Sequence, residues 1–172
     1  MGGVRMYIRT ERLELRPIVE GDREAMCALL TDDIIKQTYM LPDFPNADAL
    51  ERMFLRLCVL SEDESRFVAG IASNGGLIGF MNDVGMENGC IELGYVIHPA
   101  HHNCGYATEA LRAAIGALFE KGFVRVEAGA FEGNTASLRV MEKCGMEKID
   151  KTEPIEYRGK IYRCDYRAIE RK

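Results

Sequence analysis

The apolar positions change their period several times along the chain. Residues 12–18, RLELRPI, alternate apolar and polar side chains as a half-buried strand does, and Pro17 ends the run. EGDREAMCALLTDD (20–33) shifts to helical spacing. Residues 34–45 hold Tyr39, Met40, Pro42, Phe44 and Pro45, which predicts an irregular or short-helical loop. NADALERMFLRLCVLSEDE (46–64) is strongly helical, with Asn46 as its N-cap. Three strand-like runs follow, SRFVAGIAS (65–73), GLIGFMNDVG (76–85) and CIELGYVIH (90–98). Asn74-Gly75-Gly76 and Glu87-Asn88-Gly89 separate them and signal hairpin turns.

YATEALRAAIGALFEKG (106–122) is helical again. Ala107, Ala110, Leu111, Ala114, Leu118 and Phe119 fall close to one face, and Gly122 stops it. FVRVEAGAF (123–131) predicts a strand, NTASLRVMEKCG (134–145) a capped helix ending in glycine, and KIYRCDYRAIE (160–170) a last strand, with residues 150–160 as a loop. The order predicts an α/β fold with a mixed, mostly antiparallel central sheet and helices on both faces. The strands flanking helix 106–121 form a parallel pair joined by a right-handed crossover.

Composition narrows the function classes. At 172 residues the chain is expected to form a single domain, 1–172. A net charge of -5 argues against a general nucleic-acid binder, because phosphate contacts need clustered Lys and Arg. The six cysteines at 27, 58, 90, 104, 144 and 164 include no CxxC pair, so no metal site is expected and reduced thiols in the cytoplasm are the natural inference. No apolar run reaches the length of a membrane span, no signal peptide precedes the first strand, and MGGVRM lacks the Ser or Thr of a myristoylation signal.

The candidate chemistry sits in HHNCGYATEAL (101–111). Small and polar residues crowd around Gly105, and a helix begins at once. The first turn of a helix has N–H groups without intrahelical partners and a partial positive charge. Gly105 lets the chain turn without a Cβ, so Asn103, Cys104, Tyr106, Ala107 and Thr108 can aim successive N–H groups at one anion, above all a pyrophosphate. The plainer alternative is a strand-to-helix connection whose glycine serves only the turn. Neither GxxxxGK[ST] nor GxGxxG is present.

HPAHHNCGYATEAL resembles the acetyl-CoA pyrophosphate loop of the GCN5-related N-acetyltransferases (GNAT), whose pattern is Arg/Gln-x-x-Gly-x-Gly/Ala. Gly105 and Ala107 match, and His102 stands where Arg or Gln is usual. NTASLRVMEKCGM resembles the family's later helix, with Met146 for the terminal aromatic. TERLELRPI and IELGYVI are similar to the ribosomal-protein N-terminal acetyltransferase subgroup (RimJ/RimL-like). The resemblance implies an acetyl-CoA-dependent N-acetyltransferase in which a primary amine, on a protein N-terminus or a small molecule, attacks the thioester directly in a ternary complex. With the charge and the lack of a long apolar run, no nucleic-acid or membrane partner is expected, and a homodimer is left open.

On that resemblance the strand carrying Tyr95, Val96 and Ile97 splays from its neighbour at a bulge, for which Gly94 is suited, and offers backbone groups to the pantetheine arm. His102, Asn103, Cys104, Gly105, Tyr106, Ala107 and Thr108 then form the phosphate site. Glu92 is the candidate base, its alternative being an outward strand carboxylate in a surface pair. Asn134 serves the pantetheine amide or caps its helix. Many family members place a tyrosine seven residues after that asparagine; here the position is Met141, which leaves Ser137 as proton donor to the leaving thiolate. Asp32, Asp33, Tyr39, Met40 and Phe44 would suit a cationic acceptor, or merely form a solvated loop over the core. The departures at Met141 and His102 keep a rival reading in view, a non-catalytic CoA-binding sensor or interaction module of the same fold.

Overall fold

The computed structural model describes residues 7–172, so the opening MGGVRM lies outside the described residues. The strands follow the order Ile8–Arg9 (β1), Glu14–Arg16 (β2), Val68–Ser73 (β3), Gly76–Glu87 (β4), Cys90–Ile97 (β5), Arg125–Phe131 (β6), Lys160–Glu170 (β8) and Glu147–Tyr157 (β7), mostly antiparallel with one parallel pair, β5 with β6, as the apolar pattern predicts. The chain divides into two compact units. One runs up to Asn82 and includes Tyr95–Ala110; the other comprises Asp83–Gly94 and Leu111–Lys172.

In the first unit, β1 (Ile8–Arg9), β2 (Glu14–Arg16), β3 (Val68–Ser73) and the start of β4 (Gly76–Glu87) pair antiparallel in sequence order. Helices α1 (Arg23–Thr31) and α2 (Ala47–Glu62) supply Met26, Leu29, Leu30, Phe54 and Leu57 to a core that also takes Ile18, Val68, Phe80 and Val96. Asn46 caps α2 as its sequence suggests, accepting from the Ala49 N–H at 2.9 Å. Gly79 is required by packing. A Cβ there would lie 2.1 Å from the Val96 carbonyl oxygen, so any side chain would push the chain at Val96 away.

In the second unit, β5 (Cys90–Ile97) begins parallel to β6 (Arg125–Phe131), with Cys90, Ile91 and Glu92 facing Arg125, Val126 and Glu127. The register ends there, although β6 continues to Phe131 paired with β8 (Lys160–Glu170). Helix α3 (Tyr106–Glu120) buries Ala110 in the first unit, and Leu111, Ala114, Ile115 and Leu118 in the second. Ala107 and Phe119 are half-buried. Helix α4 (Thr135–Lys143) buries Met141 completely.

Residues 150–160 are not a loop. Most of them belong to β7 (Glu147–Tyr157), which turns through Arg158 and Gly159 into β8. Two features hide this strand in the sequence. Its run EKIDKTEPIEY holds only Ile149, Ile155 and Tyr157 as large apolar side chains, too few and too widely spaced to show an alternation. It also lies last in the strand order, where charged residues and Pro154 are tolerated. Among the described residues no helix is long and apolar enough to cross a membrane.

Candidate functional site

Residues 98–109 are held by contacts that leave the amides of Asn103 to Ala107 open. Gly105 has φ +80 and Asn103 φ +60, the left-handed conformation that glycine takes freely and asparagine tolerates. Among the described residues, no protein group accepts a hydrogen bond from the N–H of Asn103, Cys104, Gly105, Tyr106 or Ala107. The first bonded amide in this run whose partner is established is that of Glu109, which donates to the Gly105 carbonyl at 3.0 Å.

The side chains around the loop are committed. Arg12, between β1 and β2, donates from Nη1 to the Cys104 carbonyl at 2.8 Å and from Nε to Glu109 at 2.7 Å, and its guanidinium lies 4.6 Å from the Tyr106 ring centre. Thr10 donates its hydroxyl to the same Glu109 carboxylate at 2.6 Å, and the Arg12 N–H adds a bond at 2.9 Å. Burial works against the Glu109 charge, but the Thr10 and Arg12 bonds outweigh it and hold the carboxyl below its ordinary range. His102 donates from Nε2 to the Ile97 carbonyl at 2.8 Å, so its ring is anchored to the end of β5. His98 Nδ1 accepts from the Ala100 N–H at 3.1 Å. The Cys104 thiol is exposed. TERLELRPI contains Arg12, yet nothing local to that stretch marks it as the loop's anchor; its partners lie more than ninety positions away.

In the second unit Glu92 is half-buried. Lys151 Nζ lies 3.4 Å from Glu92 Oε2 and 3.3 Å from Glu127 Oε2, and 4.1 Å from the centre of the Tyr166 ring. Burial raises the Glu92 carboxyl above its ordinary range, and the attraction of Lys151 only partly offsets it. Glu127 goes the other way: burial opposes its charge, but Arg125 and Lys151 hold it lowered. The Tyr166 hydroxyl donates to Glu153 at 3.0 Å; burial first, then that carboxylate, push its titration up, so it stays a phenol. Glu92 is thus half-buried and paired with Lys151. Glu127, Lys151 and Tyr166 carried no motif, and only the strand register brings them to Glu92.

At the start of α4 the Asn134 side chain accepts from the Ser137 N–H at 3.2 Å, the capping role. Ser137 is half-buried one turn on. Met141 is fully buried, a core residue. Within residues 31–45 the candidate cation-binding groups are mostly engaged. Asp32 accepts from the Ile34 and Ile35 N–H groups, Tyr39 bonds to Asn82 and packs edge-on against Phe80, and Phe44 lies on the core. Asp33 and Met40 are exposed.

Residues 12–147 match the family model described as Acetyltransferase (GNAT) domain. The chain is 29% identical over 147 residues to an uncharacterized N-acetyltransferase, YoaA, of Bacillus subtilis (strain 168), covering 82% of each. Among solved structures, an acetyltransferase of the GNAT family from Bacillus anthracis aligns with a TM-score of 0.81 at 23% identity, covering 96% of this chain and 98% of that one. RimL, a ribosomal L7/L12 alpha-N-protein acetyltransferase in complex with coenzyme A, aligns with a TM-score of 0.82 at 18% identity, covering 96% and 98%. At such identities the structural likeness is one of fold.

Proposed function

Because the chain belongs to the GNAT acetyltransferase family and is an acetyl-CoA-dependent N-acetyltransferase, we propose that residues 1–172 act as one catalytic domain of the RimJ/RimL-like kind, acetylating a primary amine on a protein N-terminus or a small molecule. The observation that carries this reading is the run of open amides from Asn103 to Ala107 around the left-handed Gly105. They fit a diphosphate: hydrogen bonds from amides to an anion are of the charge-assisted kind, and the dipole of α3 adds to them.

Asn103, Cys104, Gly105, Tyr106, Ala107 and Thr108 hold the diphosphate in this assignment, and Arg12 keeps their conformation. His102, its ring already bonded to the strand end, joins this site by supporting the loop at the position where Arg or Gln is usual. The backbone of Tyr95, Val96 and Ile97 takes the pantetheine arm, and an N–H of that strand polarises the thioester carbonyl. Bound acetyl-CoA supplies an activated acyl group on a thiol leaving group.

Glu92 removes a proton from the incoming ammonium. The task is modest for an α-amine, with a pKa of about 7.7–8.0, and harder for a lysine-like amine near about 10.4. A carboxylate whose pKa is raised by burial is a better match for it than an exposed one. Ser137 relays the second amine proton to the departing thiolate, while Asn134 fixes the first turn of α4 and turns its amide toward the pantetheine. Direct transfer requires amine and thioester together in a ternary complex, and holding both in place supplies roughly 7–11 kcal/mol in ideal cases.

Release of free thiol from acetyl-CoA, followed with a panel of peptides bearing free N-termini and small primary amines, tests the reading. Saturable release with one acceptor class supports it. Tight CoA binding with no turnover on any amine would sink it.

A further inference from the structure

Lys151 is itself a primary amine, seated against the group assigned as base. Its Nζ lies 3.4 Å from Glu92 Oε2 and 3.3 Å from Glu127 Oε2, with the Tyr166 ring centre at 4.1 Å. A bulge in β7 creates this arrangement. Lys148 faces Arg167 and Thr152 faces Asp165, so Ile149, Asp150 and Lys151 all stand against Tyr166. Bulges of this kind re-aim a side chain. Two carboxylates and an aromatic face are also what an outside ammonium would need.

We propose that Lys151 is an internal acyl acceptor, so that the protein acetylates its own Lys151 when acetyl-CoA is present and no outside amine is. This rests on Glu92 being the base and on the thioester lying beside β5. The step balances. Glu92 takes one proton from the Lys151 ammonium, and the neutral nitrogen attacks the acetyl carbonyl. The C–N bond forms, the thioester C–S bond breaks, and the thiolate accepts the second amine proton. Coenzyme A leaves as its thiol, and Glu92 returns its proton to water. Each chain reacts once. Burial disfavours the Lys151 ammonium, but its two carboxylates outweigh that and hold its pKa above the ordinary lysine value, so the reaction is slow and quickens as pH rises. The product amide carries no charge and stands on the carboxylate that other amines must reach, so acetylation limits the enzyme's own turnover.

The full chain is incubated with acetyl-CoA alone, and the acetyl group is located by peptide mass mapping. The expected result is one acetyl group per chain, on Lys151, formed at a rate independent of protein concentration. A saturating outside amine slows it, Glu92→Gln slows it at least about 100-fold, and Lys151→Arg removes it. Thiol release with an outside amine while Lys151 stays unmodified overturns this inference and leaves the proposed function standing. Acetyl groups spread over surface lysines at a rate that Glu92→Gln does not change overturn it equally. Absence of both thiol release and Lys151 acetylation, with coenzyme A bound, overturns the assignment of Glu92 as well.

Discussion

The loop before α3 and the strand face around Glu92 are built in opposite ways. In the loop the side chains are spoken for: Arg12, Thr10, Glu109 and His102 all hold one another or the backbone, and the amides of Asn103–Ala107 are left open. Around Glu92 and Glu127 the backbone is taken up in the pairing of β5 with β6 and of β6 with β8, and the groups left to act are titratable side chains. A backbone site binds a fixed anion by shape and is indifferent to pH across the neutral range. A side-chain site moves protons and is tuned by burial and by neighbouring charge. The difference teaches that substitutions in the loop matter through conformation, whereas those around Glu92 matter through ionisation.

The sharpest way to break this contrast is Gly105→Val. A β-branched residue at φ +80 costs about 1–3 kcal/mol of backbone strain, and its Cβ would stand 3.3 Å from Arg12. Calorimetry should show coenzyme A affinity falling at least about 100-fold, the equivalent of losing one or two charge-assisted hydrogen bonds, with the circular dichroism of the fold retained.

Glu92→Gln should cost about 100-fold in kcat, at the low end for a general base. The pH profile adds a second readout. The base works as the carboxylate, and burial raises its pKa, so activity should fall as pH drops through a value above the ordinary glutamate 4.5. Glutamine should abolish that limb. A limb that persists in the variant would assign it to another group.

A smaller effect is expected for Arg12→Ala, which removes the bond to the Cys104 carbonyl and the contact with Tyr106. KM for acetyl-CoA should rise roughly 10-fold with kcat little changed, since charged-group hydrogen bonds are worth about 1.5–3 kcal/mol. Equal losses in both constants would place Arg12 in the chemistry instead. Glu109 gives the matching pH signature. Its folded pKa is lowered, so the stability it contributes is present above the unfolded value of 4.5 and is lost as pH falls through the folded one. Glu109→Gln should flatten that acid-side loss in a thermal melt. Smallest of all is Cys104→Ser, within about twofold on KM, because the loop uses the amide of this residue and its thiol is exposed.

What could be read in advance follows the same division. Gly105 and the start of α3 were legible because a turn and a helix start are local, set by residues a few positions apart. The Asn134 cap was legible for that reason too, and so was the parallel pairing of β5 and β6, which a strand–helix–strand order dictates. Arg12 was hidden because its partners, Cys104, Tyr106 and Glu109, are remote in sequence. Lys151 was hidden twice, by a charged, apolar-poor run that made β7 read as a loop and by a register shift that no periodicity reports. The depth of Met141 could be guessed only in part, since a helix position shows its face but not how completely that face is covered.

Hydrogen exchange of the backbone amides, with and without coenzyme A, tests the central claim most directly. The account predicts strong new protection at Asn103, Cys104, Gly105, Tyr106 and Ala107 when coenzyme A binds, reduced by Arg12→Ala. Coenzyme A bound tightly while those five amides exchange as freely as before would contradict it.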